Sequence, residues 1–383
     1  MGKIRVLRII ARMNVGGPAV EISGLMRHLD PGRFEQRLVT GWCDSHEEDY
    51  LTTQAPDISV TRLEGLGRAV RPTDDARAFQ QIIGHIREYR PHIIHTHTAK
   101  AGALGRSAAI FARGNPLLIH TYHGHILNGY FSKPKTQAIV QVERILATRT
   151  DRFITVGAQV RDELIAAKIG SLDKFAVIPP GLEVQPFPTR QAARAQLGLS
   201  EHDQVVCVVG RVTAIKRPDR VAEVARILAA RFPRLVFIVA GAGDLEAELQ
   251  ATVDREQLPI KMLGWRDDVE TIFAASDLAL LTSDNEGTPL SLIQAALAGI
   301  PSVATNVGAV SEVVIDHETG LLASTDVADI SEKLAILLSD ESERSRLGNS
   351  GRVRAQQLYT VQRFANDHAN LYEDALRSKL QTS

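Results

Sequence analysis

Ile178-Pro179-Pro180-Gly181-Leu182-Glu183-Val184-Gln185-Pro186-Phe187-Pro188 interrupts an otherwise regular chain. Four prolines in these eleven residues exclude both a helix interior and a central strand, so the stretch reads as a linker. On either side of it, apolar runs of strand length alternate with amphipathic runs of helix length. Before it, strands are expected at 3–10, 36–40, 58–63, 91–95, 117–122, 152–156 and 175–178. Helices fall between them at 19–29, 74–89, 99–112, 136–148 and 157–168. In 74–89, Ala78, Ile82, Ile83 and Ile86 recur at helical spacing among Gln, Arg and Glu. After the linker the alternation restarts, with strands at 205–209, 235–240, 260–263, 278–281 and 302–304. The matching helices are 217–231, 244–254, 267–275, 289–298, 326–338 and 341–356, with a last one at 360–378. Near-continuous β-branched strands joined by helices indicate parallel sheets covered on both faces. The expected architecture is α/β: two doubly wound domains, 1–180 and 181–359, facing a central cleft, and a C-terminal helix in 360–383. A ligand is expected in that cleft, at the carboxyl ends of both sets of strands.

Composition narrows the function. The 383 residues are 44% hydrophobic and 23% charged, enough for sizeable cores. Forty-four Lys+Arg against 45 Asp+Glu give a net charge of −1, which lacks the basic footprint of a nucleic-acid binder. No window holds 18 uncharged apolar residues, so a transmembrane span is not expected. The N-terminal run Met1–Ile10 has charges inside its apolar stretch and reads as a first strand rather than a cleavable leader. Cys43 and Cys207 cannot build a disulfide framework, and a cytoplasmic location is the expectation.

Several strand ends carry chemistry. Asn14-Val15-Gly16-Gly17-Pro18-Ala19 follows the first strand and opens a helix. Glycines there let backbone approach a ligand, and the helix start favours anions; a tight turn is the competing reading. His95 and His97 share a strand face, and His120, His123 and His125 cluster at the end of another strand. A metal pair, a cleft-lining role and ordinary core histidine are all open for them. Gly210-Arg211 closes the strand at 205–209 and Lys216 opens the next helix, two fixed cations suited to a diphosphate or to plain surface charge. Gly241-Ala242-Gly243-Asp244 starts like a dinucleotide fingerprint, but Glu246 stands at the third glycine position, so it reads as a plain turn. The segment Thr282–Thr305 runs strand, polar loop, helix with Pro289 at its start, Gly299 stop, strand. It holds Glu286 at a rim beside the N–H groups of Gly287, Thr288 and Leu290, a seat for phosphate or sugar oxygens.

These motifs, in this order, resemble the family-four retaining glycosyltransferases of GT-B fold, whose two domains are Rossmann-like. The resemblance covers nearly the whole chain. It rests on the glycine pair Gly16-Gly17, on Gly210-Arg211 with Lys216, and on Glu286-Gly287 followed by position 294. Here position 294 is Gln where the family shows a second acid. The resemblance implies transfer of a sugar from a nucleotide-sugar donor, which is substrate rather than cofactor, with retention of configuration. It places the acceptor with 1–180 and the donor mainly with 181–359. It implies that Arg211 and Lys216 hold the diphosphate, that Glu286 and the following amides meet the sugar, and that Gln294 meets the ribose. Trp265 and Arg266 match the place where the base is gripped, with uridine favoured. His123 matches the histidine near the reacting centre, and Gly16-Gly17 would approach the phosphates. The last helix would return to the N-terminal domain, and the domains would close on donor.

The chain has no Asp-x-Asp pair, so two cations and helix N-termini must stabilise the leaving group, and metal independence is expected. One well-placed carboxylate, not two, favours same-face displacement without a covalent intermediate. A sugar-nucleotide 2-epimerase and an inactive sugar-nucleotide-binding protein are the rival readings. The hydroxyl acceptor is not named by the sequence. Ile126–Lys135 mixes apolar residues with lysines: an acceptor loop on the cytoplasmic face of a membrane, near a lipid-linked acceptor, is one reading, and an ordinary loop the other.

Overall fold

The structure, a computed structural model, describes residues 2–45, 47–67, 69–112, 114–124 and 133–382. His125 and residues 126–132 of the proposed acceptor loop lie outside the described residues. The chain divides into two units, Met1–Leu182 with Thr360–Ser383, and Glu183–Tyr359.

The first unit contains β1 (Ile4–Ile10), α1 (Gly17–His28), β2 (Phe34–Thr40), α2 (Tyr50–Thr53), β3 (Val60–Arg62), α3 (Pro72–Tyr89), β4 (Ile93–His97) and α4 (Ala99–Ala112). It continues with β5 (Leu117–Tyr122), α5 (Lys133–Ala147), β6 (Arg152–Thr155), α6 (Ala158–Ala166) and β7 (Phe175–Val177). Its seven parallel strands follow the order β3-β2-β1-β4-β5-β6-β7. Side chains alternate between the faces of β1. Leu7 and Ile9 pack with Ala78, Ile82 and Ile86 of α3 and Ala101 and Ala108 of α4. Val6, on the opposite face, packs with Leu25 of α1 and with Phe364, Ala365, Ala369 and Tyr372 of the C-terminal helix.

The second unit contains α7 (Arg190–Leu197), β8 (Gln204–Val209), α8 (Pro218–Ala229), β9 (Leu235–Ala240), α9 (Glu246–Glu256), β10 (Ile260–Gly264), α10 (Val269–Ala275) and β11 (Leu278–Leu281). Then come α11 (Leu290–Ala298), β12 (Ser302–Thr305), α12 (Val310–Val313), β13 (Gly320–Ala323), α13 (Val327–Ser339) and α14 (Glu341–Leu358); α15 (Val361–Thr382) belongs to the first unit. Six parallel strands follow the order β10-β9-β8-β11-β12-β13.

Three differences from the sequence reading have physical causes. The proline-rich stretch is not uniformly a linker: Ile178 is buried, Leu182 bridges Thr360, and Gly181 lies so close to α15 that an added Cβ would stand 2.3 Å from that of Phe364. Residues 178–182 are therefore packed structure. Helix α7 was not expected, because Arg190–Leu197 offers few apolar positions for a periodic pattern. Thr189 starts it by accepting a bond from the Ala192 N–H, and Gly198 stops it in the left-handed region. Strand β13 was also missed, being four residues at a sheet edge.

Candidate functional site

In the second unit the crossovers leave β8 and β11 toward opposite edges of the sheet, so a crevice opens beyond the carboxyl ends of these two neighbours. Lys216 and Glu286 meet there. Lys216 Nζ donates to Glu286 Oε1 at 2.5 Å, and Ser283 Oγ donates to the same oxygen at 2.5 Å. Glu286 is 8% exposed, so these charge-assisted bonds replace water it has lost. In the structure Pro289 occupies the N-cap of α11 and offers no side-chain acceptor, while the Glu286 carboxylate turns to Lys216.

The loops carrying the pair are locked together. Thr282 Oγ1 donates to the Lys216 carbonyl at 2.9 Å, and the Asp284 N–H donates to the Ile215 carbonyl at 2.9 Å. Asp284 also pairs with Arg217 at 3.2 Å and Arg220 at 2.6 Å. From the other side, the Ala309 N–H donates to the Glu286 carbonyl at 3.1 Å. Gly308 permits this approach, with φ +52° and an added Cβ only 1.9 Å from that carbonyl oxygen.

Arg211 is exposed, and no carboxylate pairs with it among the described residues. With Gly210, Lys216, Thr282 and Ser283 it lines one small cavity above Val208, Val209 and Leu281. Its loop is braced by Gly241-Ala242-Gly243, which does more than the plain turn the sequence suggested. Val212 N–H donates to the Ala242 carbonyl at 3.0 Å, and a Cβ on Gly241 would meet the Gly210 carbonyl oxygen at 1.9 Å. Trp265, 40% exposed, follows Gly264 at the end of β10, and Arg266 beside it forks onto Asp268 at 2.7 and 2.6 Å. Gln294 is half-buried in α11, beyond the turn formed by Gly287, Thr288 and Leu290.

In the first unit, Gly16 caps α1 with its carbonyl, accepting from Ala19 and Val20 at 3.1 and 3.2 Å, and Gly17 opens the helix. Glu21 stands one turn farther on. Its Oε2 lies 3.2 Å from His123 Nδ1, within ion-pair reach though off the line of a hydrogen bond. His123 Nε2 is 2.9 Å from His97 Nδ1. His95 and His97 share a face as their spacing requires, with ring centroids 4.2 Å apart. They do not act alike: His95 Nδ1 meets Tyr372 at 2.6 Å and Arg8 at 3.0 Å, and its Nε2 meets Thr121 at 2.7 Å. Arg8 can only donate, so Nδ1 accepts and the proton of His95 sits on Nε2. His120 Nδ1 meets Thr96 at 2.8 Å. Burial pushes His95, His97 and His120 well below the ordinary histidine range, and His368 down to about 3. These rings are neutral parts of the core. Among the described residues, no group of three or more His, Cys, Asp or Glu is arranged to hold a metal ion.

The geometry thus joins Arg211, Lys216 and Glu286 in one unit, and joins the Gly16-Gly17 helix to His123 in the other. Ser283, Asp284 and Glu21 are not singled out by the sequence pattern. The signal for Glu21 was a lone carboxylate on the core-facing side of α1, beside Ile22 and Leu25.

Two family models match the chain: a glycosyl transferase 4-like domain over residues 16–181 and the glycosyl transferases group 1 domain over 189–354. A curated relative from Escherichia coli, a UDP-Gal:alpha-D-GlcNAc-diphosphoundecaprenol alpha-1,3-galactosyltransferase, is 25% identical over 86% of this chain and 87% of its own. A D-inositol 3-phosphate glycosyltransferase from Corynebacterium aurimucosum is 28% identical over 82% of this chain and 79% of its own. Among solved structures, the sucrose-phosphate synthase of Thermosynechococcus elongatus superposes with a TM-score of 0.83 at 21% identity, covering 98% of this chain and all (100%) of its own. Anabaena HepE in complex with UDP gives 0.80 at 21% identity over 97% and 100%. With both halves matched in order and both sheets of the expected kind, the chain belongs to the group 1 glycosyl transferases of GT-B type.

Proposed function

We propose that this chain transfers a hexose from a UDP-sugar to a hydroxyl acceptor with retention of configuration and without a divalent metal. The observation that carries the reading is the Lys216–Glu286–Ser283 cluster beside Arg211 where β8 meets β11. A lysine ammonium has three donors, and one is spent on Glu286, so two stay available for a diphosphate. As the glycosidic C–O bond breaks, negative charge grows on the leaving diphosphate, and Arg211 and Lys216 bind it more tightly than the ground state. Both bonds to Glu286 go to Oε1, which leaves Oε2 to orient sugar hydroxyls. Because Glu286 is tied to Lys216, it serves as an orienting group rather than a nucleophile, and the acceptor attacks the face the diphosphate leaves. Trp265 and Arg266 are assigned to the base, Gln294 to the ribose, Gly287, Thr288 and Leu290 to sugar or phosphate oxygens, and Gly16-Gly17 to the phosphates. His123 is assigned to the reacting centre.

Uridine is supported by the relatives whose names specify UDP, namely the Escherichia coli galactosyltransferase and Anabaena HepE bound to UDP-glucose. The diphosphoundecaprenol acceptor of the first relative also supports a lipid-linked acceptor, and with it work at the cytoplasmic face of a membrane. No described helix is long and apolar enough to cross a membrane, which suits peripheral contact. The test is a donor-hydrolysis screen across UDP- and GDP-sugars in EDTA. UDP release from a UDP-sugar is the expected result. Activity only with GDP-sugars, or only after manganese is restored, overturns the corresponding part, and release of a free epimer from donor alone identifies a 2-epimerase.

A further inference from the structure

We propose that Glu21 is a positioning residue for His123, forming the carboxylate end of a buried Glu21–His123–His97 relay; this rests on the assignment of His123 to the reacting centre. Glu21 is 4% exposed, on a helix face otherwise formed by Ala19, Ile22, Ser23, Gly24 and Leu25. A carboxylate there costs far more than the leucine that the helix pattern would place, unless a partner compensates it. The partner is His123 Nδ1 at 3.2 Å, and His123 Nε2 in turn faces His97 Nδ1 at 2.9 Å. The far nitrogen of His97, Nε2, is buried and has no hydrogen-bond partner. It belongs to a small cavity lined also by Thr121, Phe364 and His368.

Proton bookkeeping gives this chain two states without side-chain movement. With one proton on His123, held at Nδ1 toward Glu21, Nε2 accepts from His97 Nδ1–H and His97 Nε2 is a bare lone pair. With a second proton on His123, Nδ1 faces Glu21 as an ion pair, Nε2 donates to His97 Nδ1, and the His97 proton sits on Nε2. The titratable groups facing His123 are Glu21 from α1, His97 from β4, His120 from β5 and His368 from α15. Burial keeps the three histidines neutral. Glu21 is the one carboxylate among these groups, and its place opposite Nδ1 sets how the His123 ring is oriented. With Nε2 bonded to His97 and Nδ1 within ion-pair reach of Glu21, the ring is restrained from swinging out as a general base. It presents a fixed, proton-bearing wall to whatever binds beside it.

The test uses the full chain with 15N-labelled histidine, the His123 signals being assigned by their loss in His123→Ala. In Glu21→Gln, the 15N pattern of the His123 ring should change from the Nδ1–H tautomer toward the Nε2–H tautomer, because the carboxylate facing Nδ1 is gone. Donor turnover should fall about tenfold or more as the ring loses its fixed orientation, with donor KM within about twofold. Glu21→Asp should recover part of both. An unchanged His123 tautomer pattern in Glu21→Gln, with the thermal midpoint preserved, overturns the proposal directly. Should Glu21→Gln not fold, Glu21→Asp decides on the same readout, with a smaller change in the tautomer pattern expected. Normal turnover by His123→Ala overturns it through the parent assignment, and this outcome is read on a different variant from the first.

Discussion

Arg211 and Lys216 differ in their surroundings: Lys216 is engaged with Glu286, whereas Arg211 is exposed with no carboxylate partner among the described residues. Both should nevertheless act mainly on turnover, since the charge they meet grows toward the transition state. Arg211→Ala and Lys216→Ala are each expected to lose about 3–4 kcal/mol of transition-state stabilisation, roughly a hundredfold to a thousandfold in kcat. Steady-state kinetics with a UDP-sugar checks this, and near-normal turnover in the double variant would reduce the pair to surface charge. Gln294 is proposed to make a different kind of contact, to the ribose. An amide can pair with the ribose diol once in each direction, so Gln294→Ala should raise donor KM with kcat little changed. Gln294→Glu should alter donor affinity by no more than about 1.5 kcal/mol, roughly tenfold. A kcat collapse at constant KM in Gln294→Ala would remove residue 294 from the ribose site. At this scale the cations and Glu286 were legible because strand ends fix where they point. Ser283 and Glu21 were not, because which group a buried oxygen bonds is decided by tertiary packing.

The two loops after β8 and β11 behave as one element, clamped by Thr282, Asp284, Arg217 and Arg220. The third loop, after β9, supports them through Gly241. Gly241 has φ +151° and no room for a side chain against the Gly210 carbonyl, so Gly241→Ala must displace backbone. A loss on the order of 1–3 kcal/mol is expected, visible as a lower thermal midpoint, together with weaker UDP binding by calorimetry. An unshifted midpoint would mean the loops are not braced as described. The sequence disclosed the long periodic elements, and it disclosed that Gly241 sits in a turn. It could not disclose that the turn packs on Gly210, some thirty residues earlier. For the same reason α7 and β13 escaped: each is short, and each is held by neighbours rather than by its own pattern.

Taken whole, the molecule distributes its buried histidines unequally. His95, His97, His120 and His368 lie in the core of the first unit, whereas His202 and His317 of the second are exposed. Unfolded, each of the four takes up a proton near 6.5, and folded it does so only at much lower pH, near 3 for His368. Their depressed values therefore leave stability intact above pH 6.5 and remove it as pH falls below that, by about 1.4 kcal/mol per pH unit for each histidine. Hydrogen exchange on the full chain at pH 7 and pH 5, corrected for intrinsic rates, should show the first unit losing protection and the second much less. Equal losses would contradict the assignment. Helix α15 is part of the same unit: Phe364, Ala369 and Tyr372 complete its core, so removing residues 361–383 should abolish the cooperative melting of that unit. The linker proline cluster announced two sheets, but the return of α15 to the first was legible only through resemblance. The most direct measurement is 1H NMR of the anomeric signal formed when the chain turns over an α-linked UDP-sugar in EDTA. The α-configured product is expected to appear first, alongside free UDP, and Lys216→Ala is expected to form neither at a comparable rate. A β-configured first product, or turnover that requires added metal, would contradict retaining, metal-independent transfer.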